Sequence, residues 1–302
     1  MTYFLIFISV LAFTSNGFAV RLFQTRFRNA ERRLPLFQSL YCLISTICFW
    51  SAGGFELPRT ETVLYGVIFG ALFCTASAMG ARAMATGSMA LSSVITNMSL
   101  LVPILYSVIF LEEQLTILHA VGFLFFCASV IFSAQSGGDN KKASLLWMIV
   151  VFTALFANGF SATVQKIFIM RHPNAQDSVF LGVAYLTASI CFIVKFIIFR
   201  NKHSLELQDS ECGISTKKTA LLSVSTFLAV ALLAGVGSFC GNLLLGKLSV
   251  QVVAAILYPC INGGIAIMTP LISFLVFKER PSSKKLLSIL FGCVAIVVLN
   301  LG

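Results

Sequence analysis

The run Val102-Pro103-Ile104-Leu105-Tyr106-Ser107-Val108-Ile109-Phe110-Leu111-Glu112 has a counterpart far down the chain, Thr269-Pro270-Leu271-Ile272-Ser273-Phe274-Leu275-Val276-Phe277-Lys278-Glu279. In both, a proline opens a largely apolar stretch and a glutamate closes it nine positions later. Two further echoes occur in the same order. Asn16-Gly17-Phe18 recurs as Asn158-Gly159-Phe160, and the segment Ala85-Thr86-Gly87 to Val94-Ile95 aligns with Gly246-Lys247-Leu248 to Ala255-Ile256. Three echoes in register point to an internal duplication, with one copy over 1–136 and the second over 144–302.

What the copies are made of follows from composition. The 302 residues are 58% hydrophobic and 11% charged, against roughly 45–50% and about 25% in soluble domains. That balance excludes a soluble enzyme, a disordered chain and a nucleic-acid binder. The net charge of +10 sits in short gaps, not on a folded basic face of the kind nucleic acid requires. Ten apolar runs, 2–20, 34–53, 62–82, 89–111, 116–135, 144–168, 178–199, 219–244, 250–277 and 284–301, are near the length that crosses about 30 Å of hydrocarbon. The expectation is an all-α polytopic membrane protein of ten transmembrane helices. Five spans per copy is an odd number, so the second copy inserts upside down, giving a 5+5 inverted-topology repeat. Nine cysteines, eight of them within apolar runs and none in a C-x-x-C pair, read as small buried side chains with no metal or cofactor implied.

Sixteen Lys and Arg fall in the gaps after the odd-numbered spans, and four (Arg59, Lys166, Arg171, Lys247) in those after the even-numbered ones. The positive-inside rule then puts both termini outside. The first span has no basic residue before it and an Arg cluster after it, so it reads as a retained span and not a cleaved leader. Short tails and no transit segment point to a bacterial cytoplasmic membrane. Trp50 and Trp147 read as interfacial anchors, Lys166 and Lys195 as snorkelling side chains, and Glu112 and Glu279 as caps or ion-pair partners at span ends.

The polar residues inside the spans are amides and hydroxyls. In span 9, Tyr258, Asn262, Thr269 and Ser273 fall within about 60° of one another on a helical projection. Pro259, Gly263, Gly264 and Pro270 interrupt the same stretch, freeing backbone carbonyls. Span 4 offers Ser93 and Asn97, span 8 Ser238 and Asn242, and spans 1 and 6 the equivalent Asn16 and Asn158, with Gln165 two turns beyond. Each has two readings, cavity lining or helix–helix glue. Arg82, at the end of span 3, either fixes topology or attracts anions to a cytoplasmic mouth. No carboxylate falls mid-span, so nothing is placed to trade a proton for a cationic solute.

The endings Pro103 to Glu112 and Pro270 to Glu279-Arg280, followed by spans containing Gly122 and Gly292, resemble the drug/metabolite transporter superfamily, in its ten-span EamA-type branch. The resemblance covers essentially the whole chain. It implies alternating access around a central cavity lined chiefly by spans 3, 4, 8 and 9 with 1 and 6, and it implies cytoplasmic termini, the reverse of the charge count. Its smaller relatives carry a carboxylate in the first span where this chain has Asn16. The expected activity is secondary transport of a small neutral, zwitterionic or anionic metabolite, an amino-acid-like solute foremost, with efflux as the direction. A transport-inactive scaffold or receptor and a proton-coupled drug exporter are the alternatives. No H-E-x-x-H, paired intramembrane aspartates or Ser–His pair marks an enzyme. The expected partners are the solute and the bilayer, with no nucleic acid; the sequence does not fix the oligomeric state, and a monomer is compatible with it. If the charge count governs orientation, a cysteine introduced at either terminus, with exposed native cysteines removed, will label with an impermeant maleimide in intact cells. Labelling only after lysis would reverse the orientation.

Overall fold

The computed structural model describes residues 2–27, 30–86, 89–134, 144–172, 176–203, 217–277 and 283–301. Among them every regular element is helical: α1 (Thr2–Arg26), α2 (Ala30–Ala52), α3 (Thr60–Thr86), α4 (Met89–Asn97), a 3-10 turn (Met98–Leu100), α5 (Leu101–Phe110), α6 (Ile117–Ala134), α7 (Leu145–Arg171), α8 (Asp177–His203), α9 (Lys217–Gln251), α10 (Ala254–Phe277) and α11 (Ser283–Leu301). Six of these, α1, α2, α3, α7, α8 and α9, contain stretches long and apolar enough to cross a membrane. Shorter apolar stretches lie at Val94–Phe110, Ile117–Phe132, Ala254–Thr269 and Ile289–Leu299. Helices are the form apolar segments take in hydrocarbon, because each backbone N–H and C=O must find its partner within the segment. The protein is an all-helical membrane protein.

The helices follow the apolar runs except at 89–111. That run, read from sequence as one helix, is two helices joined by the 3-10 turn. Pro103 has no amide hydrogen to give to the carbonyl four residues back, but in the first turn of a helix that hydrogen has no partner anyway. The chain therefore restarts as α5, and the Leu101 N–H is drawn back to the Met98 and Ser99 carbonyls.

The principal packings are α1 along α9, α3 along α7, α2 along α8 and α6 along α11. Secondary contacts join α3 to α8, α2 to α9, α10 to α11 and α1, α4 to α6 and α7, and α5 to α7. Aromatic residues fill the largest cluster, with Phe23 stacked on Phe37 at 4.3 Å and Phe168 on Phe180 at 4.4 Å between ring centroids. Ile109, Leu124, Ile198 and Leu290 point outward and are exposed, as side chains facing lipid are. Eight cysteines among the described residues are free thiols; Cys212 lies outside them.

Trp147 is not an interfacial anchor. It is buried, and its Nε1 donates to the Ala83 carbonyl and Ser92 Oγ, both at 3.1 Å, pinning the start of α7 to the end of α3 and to α4. Glu112 corrects another expectation: it is exposed and sits at φ 55, a left-handed backbone that turns the chain sharply after α5. Glu279 lies outside the described residues.

Close helix approach rests on small residues, as membrane packing requires. A Cβ on Gly70 of α3 would run into the Ala184 carbonyl of α8 and lie 2.7 Å from the Thr187 Cβ. Gly70→Leu is expected to force α3 from α8 and cost about 1–3 kcal/mol, read as a lowered melting temperature in detergent, whereas Leu124→Ala on the lipid face should leave that temperature nearly unchanged.

Candidate functional site

A cavity of about 280 Å³ lies at the centre of the bundle. Seven elements line it: α1 with Phe13 and Asn16; α3 with Phe69 and Phe73; the α4–α5 break with Thr96, Asn97, Ser99, Leu100 and Pro103; α7 with Asn158, Gly159, Ser161 and Gln165; α8 with Tyr185; α9 with Ser238, Asn242 and Leu245; and α10 with Tyr258, Ile261, Asn262 and Ile265. None of its lining residues is Asp, Glu, Lys, Arg or His. The break between α4 and α5 is admitted here because α7 presents no side chain at Gly159. A Cβ at that position would sit 2.7 Å from the Ser99 carbonyl.

The amides are held by donation. Asn242 Nδ2 donates to the Tyr185 hydroxyl at 2.8 Å and to the Ser238 carbonyl at 3.0 Å, and the Tyr185 and Ser238 hydroxyls are 2.6 Å apart. Gln165 Nε2 reaches the Asn242 carbonyl at 3.1 Å, Asn16 Nδ2 the Ala234 carbonyl at 2.9 Å, and Asn262 Nδ2 the Tyr258 carbonyl at 2.9 Å. Asn158 Nδ2 donates to Ser99 Oγ at 2.7 Å. Glue and lining are therefore not alternatives. One side of each carboxamide ties helices or backbone, and the residue still faces the chamber.

Of the residues predicted as a site, Asn16, Asn97, Asn158, Gln165, Ser238, Asn242, Tyr258 and Asn262 meet in this cavity. Thr269 does not. It is exposed, eleven residues and about 16 Å along α10 from Tyr258, past the point where the lining ends at Ile265. Arg82 is exposed near the end of α3 and is also outside the lining. Ser93 and Ser273 lie in α4 and α10, but their side chains are outside the described residues. Sequence reasoning missed the aromatic wall of Phe13, Phe69 and Phe73, since these are three among 29 Phe, and it missed Tyr185. The mid-span position of Tyr185 was the available signal, a phenol in hydrocarbon needing a partner.

The two ends of the cavity differ. A second cavity of about 270 Å³ shares Phe73, Thr96 and Asn158 with the first and runs along α3 past Ser77 and Gly80 to Met84. The opposite end, where α2, α5, α7 and α9 finish, is crossed by an ion pair and hydrogen bonds. There Lys166 of α7, only 1% exposed, meets Glu113 Oε1 at 2.5 Å. Glu113 Oε2 accepts the Ala254 N–H at 2.8 Å, capping the first turn of α10, where the helix dipole favours a carboxylate. Gln176 bridges the α2–α3 and α7–α8 loops through Glu56, Leu57 and the Arg59 amide, at 2.8–3.1 Å, and His172 Nδ1 lies 3.3 Å from Glu61. Lys166 thus does not snorkel. It turns inward because a carboxylate is waiting there, and the left-handed turn at Glu112 delivers that carboxylate.

One solved chain, described as "Crystal structure of protein", superposes on this one with a TM-score of 0.70, over 99% of this chain and 96% of that one, at 14% identity. The likeness is one of fold. No family model and no curated protein matches the sequence.

Removing one member of a buried pair leaves the other charge unpaired. Lys166→Met is expected to cost about 2–4 kcal/mol, somewhat less than a fully buried pair because Glu113 is partly solvated. The double variant Lys166→Met with Glu113→Gln should regain much of the loss, since Gln still accepts the Ala254 N–H. A double-mutant cycle of detergent melting checks this; strict additivity would show that the two groups do not interact.

Proposed function

We propose that this protein is a secondary transporter that moves a small metabolite without a net positive charge through the bilayer by alternating access, a ten-span member of the drug/metabolite transporter superfamily related to the EamA type. The observation that carries the reading is the charge-free polar cavity at the bundle centre, continued along α3 to one end, with the Glu113–Lys166 ion pair across the other.

Several features support it. The helix pairings respect an exchange of the two halves. If α1, α2, α3, α4–α5 and α6 correspond to α7, α8, α9, α10 and α11, the pair α1–α9 maps onto α7–α3, α3–α8 onto α9–α2, and α1–α10 onto α7 with α4–α5, while α2–α8 and α6–α11 map onto themselves. Five spans in each half make those halves inverted, the arrangement in which substrate sites sit at the midplane between repeats. The shorter helices α10 and α11, the stretch Val94–Phe110 and α6 complete ten spans in this reading. The Asn16 and Asn158 pair then occupies equivalent places on the first helix of each half, and both line the cavity. The lack of a charged lining residue argues against cation exchange through an intramembrane carboxylate, and the lining hydroxyls have no His, Lys or carboxylate among the lining residues to activate them as nucleophiles. With the basic gaps cytoplasmic, the cavity is continuous with the cytoplasmic side, the Glu113–Lys166 tie closes the outer side, and both termini lie outside a bacterial cytoplasmic membrane. Loading from within suits efflux.

Counterflow of radiolabelled solutes in proteoliposomes tests the proposal: accumulation of at least one member of a metabolite panel is expected, and no movement under any gradient would favour a scaffold or receptor. For the transported solute, Asn262→Ala is expected to reduce uptake about tenfold, the loss of one buried hydrogen-bonding group, with a melting temperature close to that of the parent. An equal loss of fold and transport would return Asn262 to a packing role.

A further inference from the structure

Of the polar groups facing the central cavity, five amides share one feature that bears on what the cavity holds. In Asn16, Gln165, Asn242 and Asn262 the amide nitrogen is directed at a backbone carbonyl: Ala234, Asn242, Ser238 and Tyr258 respectively. A carbonyl only accepts, so the orientation of each carboxamide is forced: nitrogen to the protein, oxygen away from it. Asn242 has both of its N–H groups committed, the second to the Tyr185 hydroxyl. Asn158 follows the same sense toward Ser99 Oγ. Ser161 and Thr96 likewise direct their hydroxyl hydrogens to the Asn158 and Ser92 carbonyls, leaving oxygen lone pairs. Among the described residues, none of these five amide oxygens accepts a hydrogen bond, although all five residues line the chamber. Each such oxygen keeps two lone pairs.

We propose that the chamber selects its solute by hydrogen-bond donors, taking uncharged molecules that carry clustered N–H groups on a flat ring or planar body, such as primary carboxamides, ureides and amino-substituted heterocycles. The inference rests on the transporter reading and narrows its substrate class. A carboxylate or phosphate would face five amide oxygens with no Lys or Arg in the lining to offset its charge, only the single remaining N–H on each of Asn16, Asn158, Gln165 and Asn262. A fixed cation would find acceptors but no counter-charge, and an isolated charge taken out of water is costly. A neutral N–H donor satisfies acceptors that otherwise hold water. Phe13, Phe69 and Phe73 supply an apolar wall for the ring, and about 280 Å³ is at the small end of ligand pockets, so the solute is one or two rings in size. Asn158 occupies the junction of the two cavities, where an entering solute meets its first amide oxygen.

The test uses the full-length chain in nanodiscs and matched probes on three scaffolds (benzene, pyridine and pyrazine), each as the primary carboxamide, the N,N-dimethyl carboxamide and the carboxylate, with benzamidine as the cationic isostere of benzamide. The primary carboxamides are expected to bind about tenfold or more tighter than both partners, because the dimethyl form leaves buried acceptors unpaired. Asn158→Asp preserves the contact to Ser99, whose hydroxyl then donates to the new carboxylate, and it adds a negative charge. It should invert the preference between benzamide and benzamidine, a change that loss of packing would not produce. Equal or tighter binding of the dimethyl or carboxylate probes, no binding of any carboxamide at millimolar concentration, or an unaltered benzamide preference in Asn158→Asp would overturn the proposal. Counterflow separates it from the reading beneath it. Exchange of a carboxylate but no carboxamide keeps the transporter and removes the donor rule, whereas carboxamide-selective binding with no solute exchanged keeps the donor rule and removes the transporter.

Discussion

Hydrocarbon offers no hydrogen bonds, and every feature of this protein answers that constraint. Backbone groups satisfy one another within helices. Hydroxyls fold back on the preceding turn, as Thr14 does to the Val10 carbonyl and Thr46 to that of Cys42. Amides bridge to neighbouring helices. Amides bridged in this way are drawn to the bundle interior, and the interior becomes polar where several meet. A central cavity lined by amides and hydroxyls is the sum of these separate necessities.

The same constraint explains the unequal ends. Lys166 would be expensive in lipid, and it is tolerated because Glu113 reaches it and also caps α10. One carboxylate thus joins α7, α10 and the turn after α5, three pieces drawn from both halves of the chain. Across the bundle, the cavity along α3 is bordered by the small residues Ala76, Ser77, Gly80 and Ala81 between Phe73 and Met84.

The break at Met98–Leu100 joins these parts. It brings Asn97 and Ser99 to the cavity wall, and it depends on Gly159 across the gap, next to Asn158. The Asn-Gly pair therefore has a divided task, with the amide facing the chamber and the glycine admitting the irregular backbone opposite. In α1 the equivalent Gly17 has open space around its Cβ position, so only one copy of the echoed motif uses its glycine for close approach.

The sequence was sufficient for what depends on local composition. Each apolar run coincides with helix because hydrocarbon imposes helix on any long apolar segment, and eight amide or hydroxyl residues chosen as polar groups within those runs line one cavity. It was insufficient where a side chain's environment depends on a distant partner. Lys166 and Trp147 look like boundary residues by position, yet Glu113, Ala83 and Ser92 make them interior ones. Thr269 shares a projected face with Asn262 but lies too far along the helix to share its cavity. Which of two adjacent glutamates turns inward was decided by the backbone at Glu112, and the orientation of Asn16, Gln165, Asn242 and Asn262 by the carbonyl each one found. Those are facts of three-dimensional proximity, which periodicity along one helix does not contain.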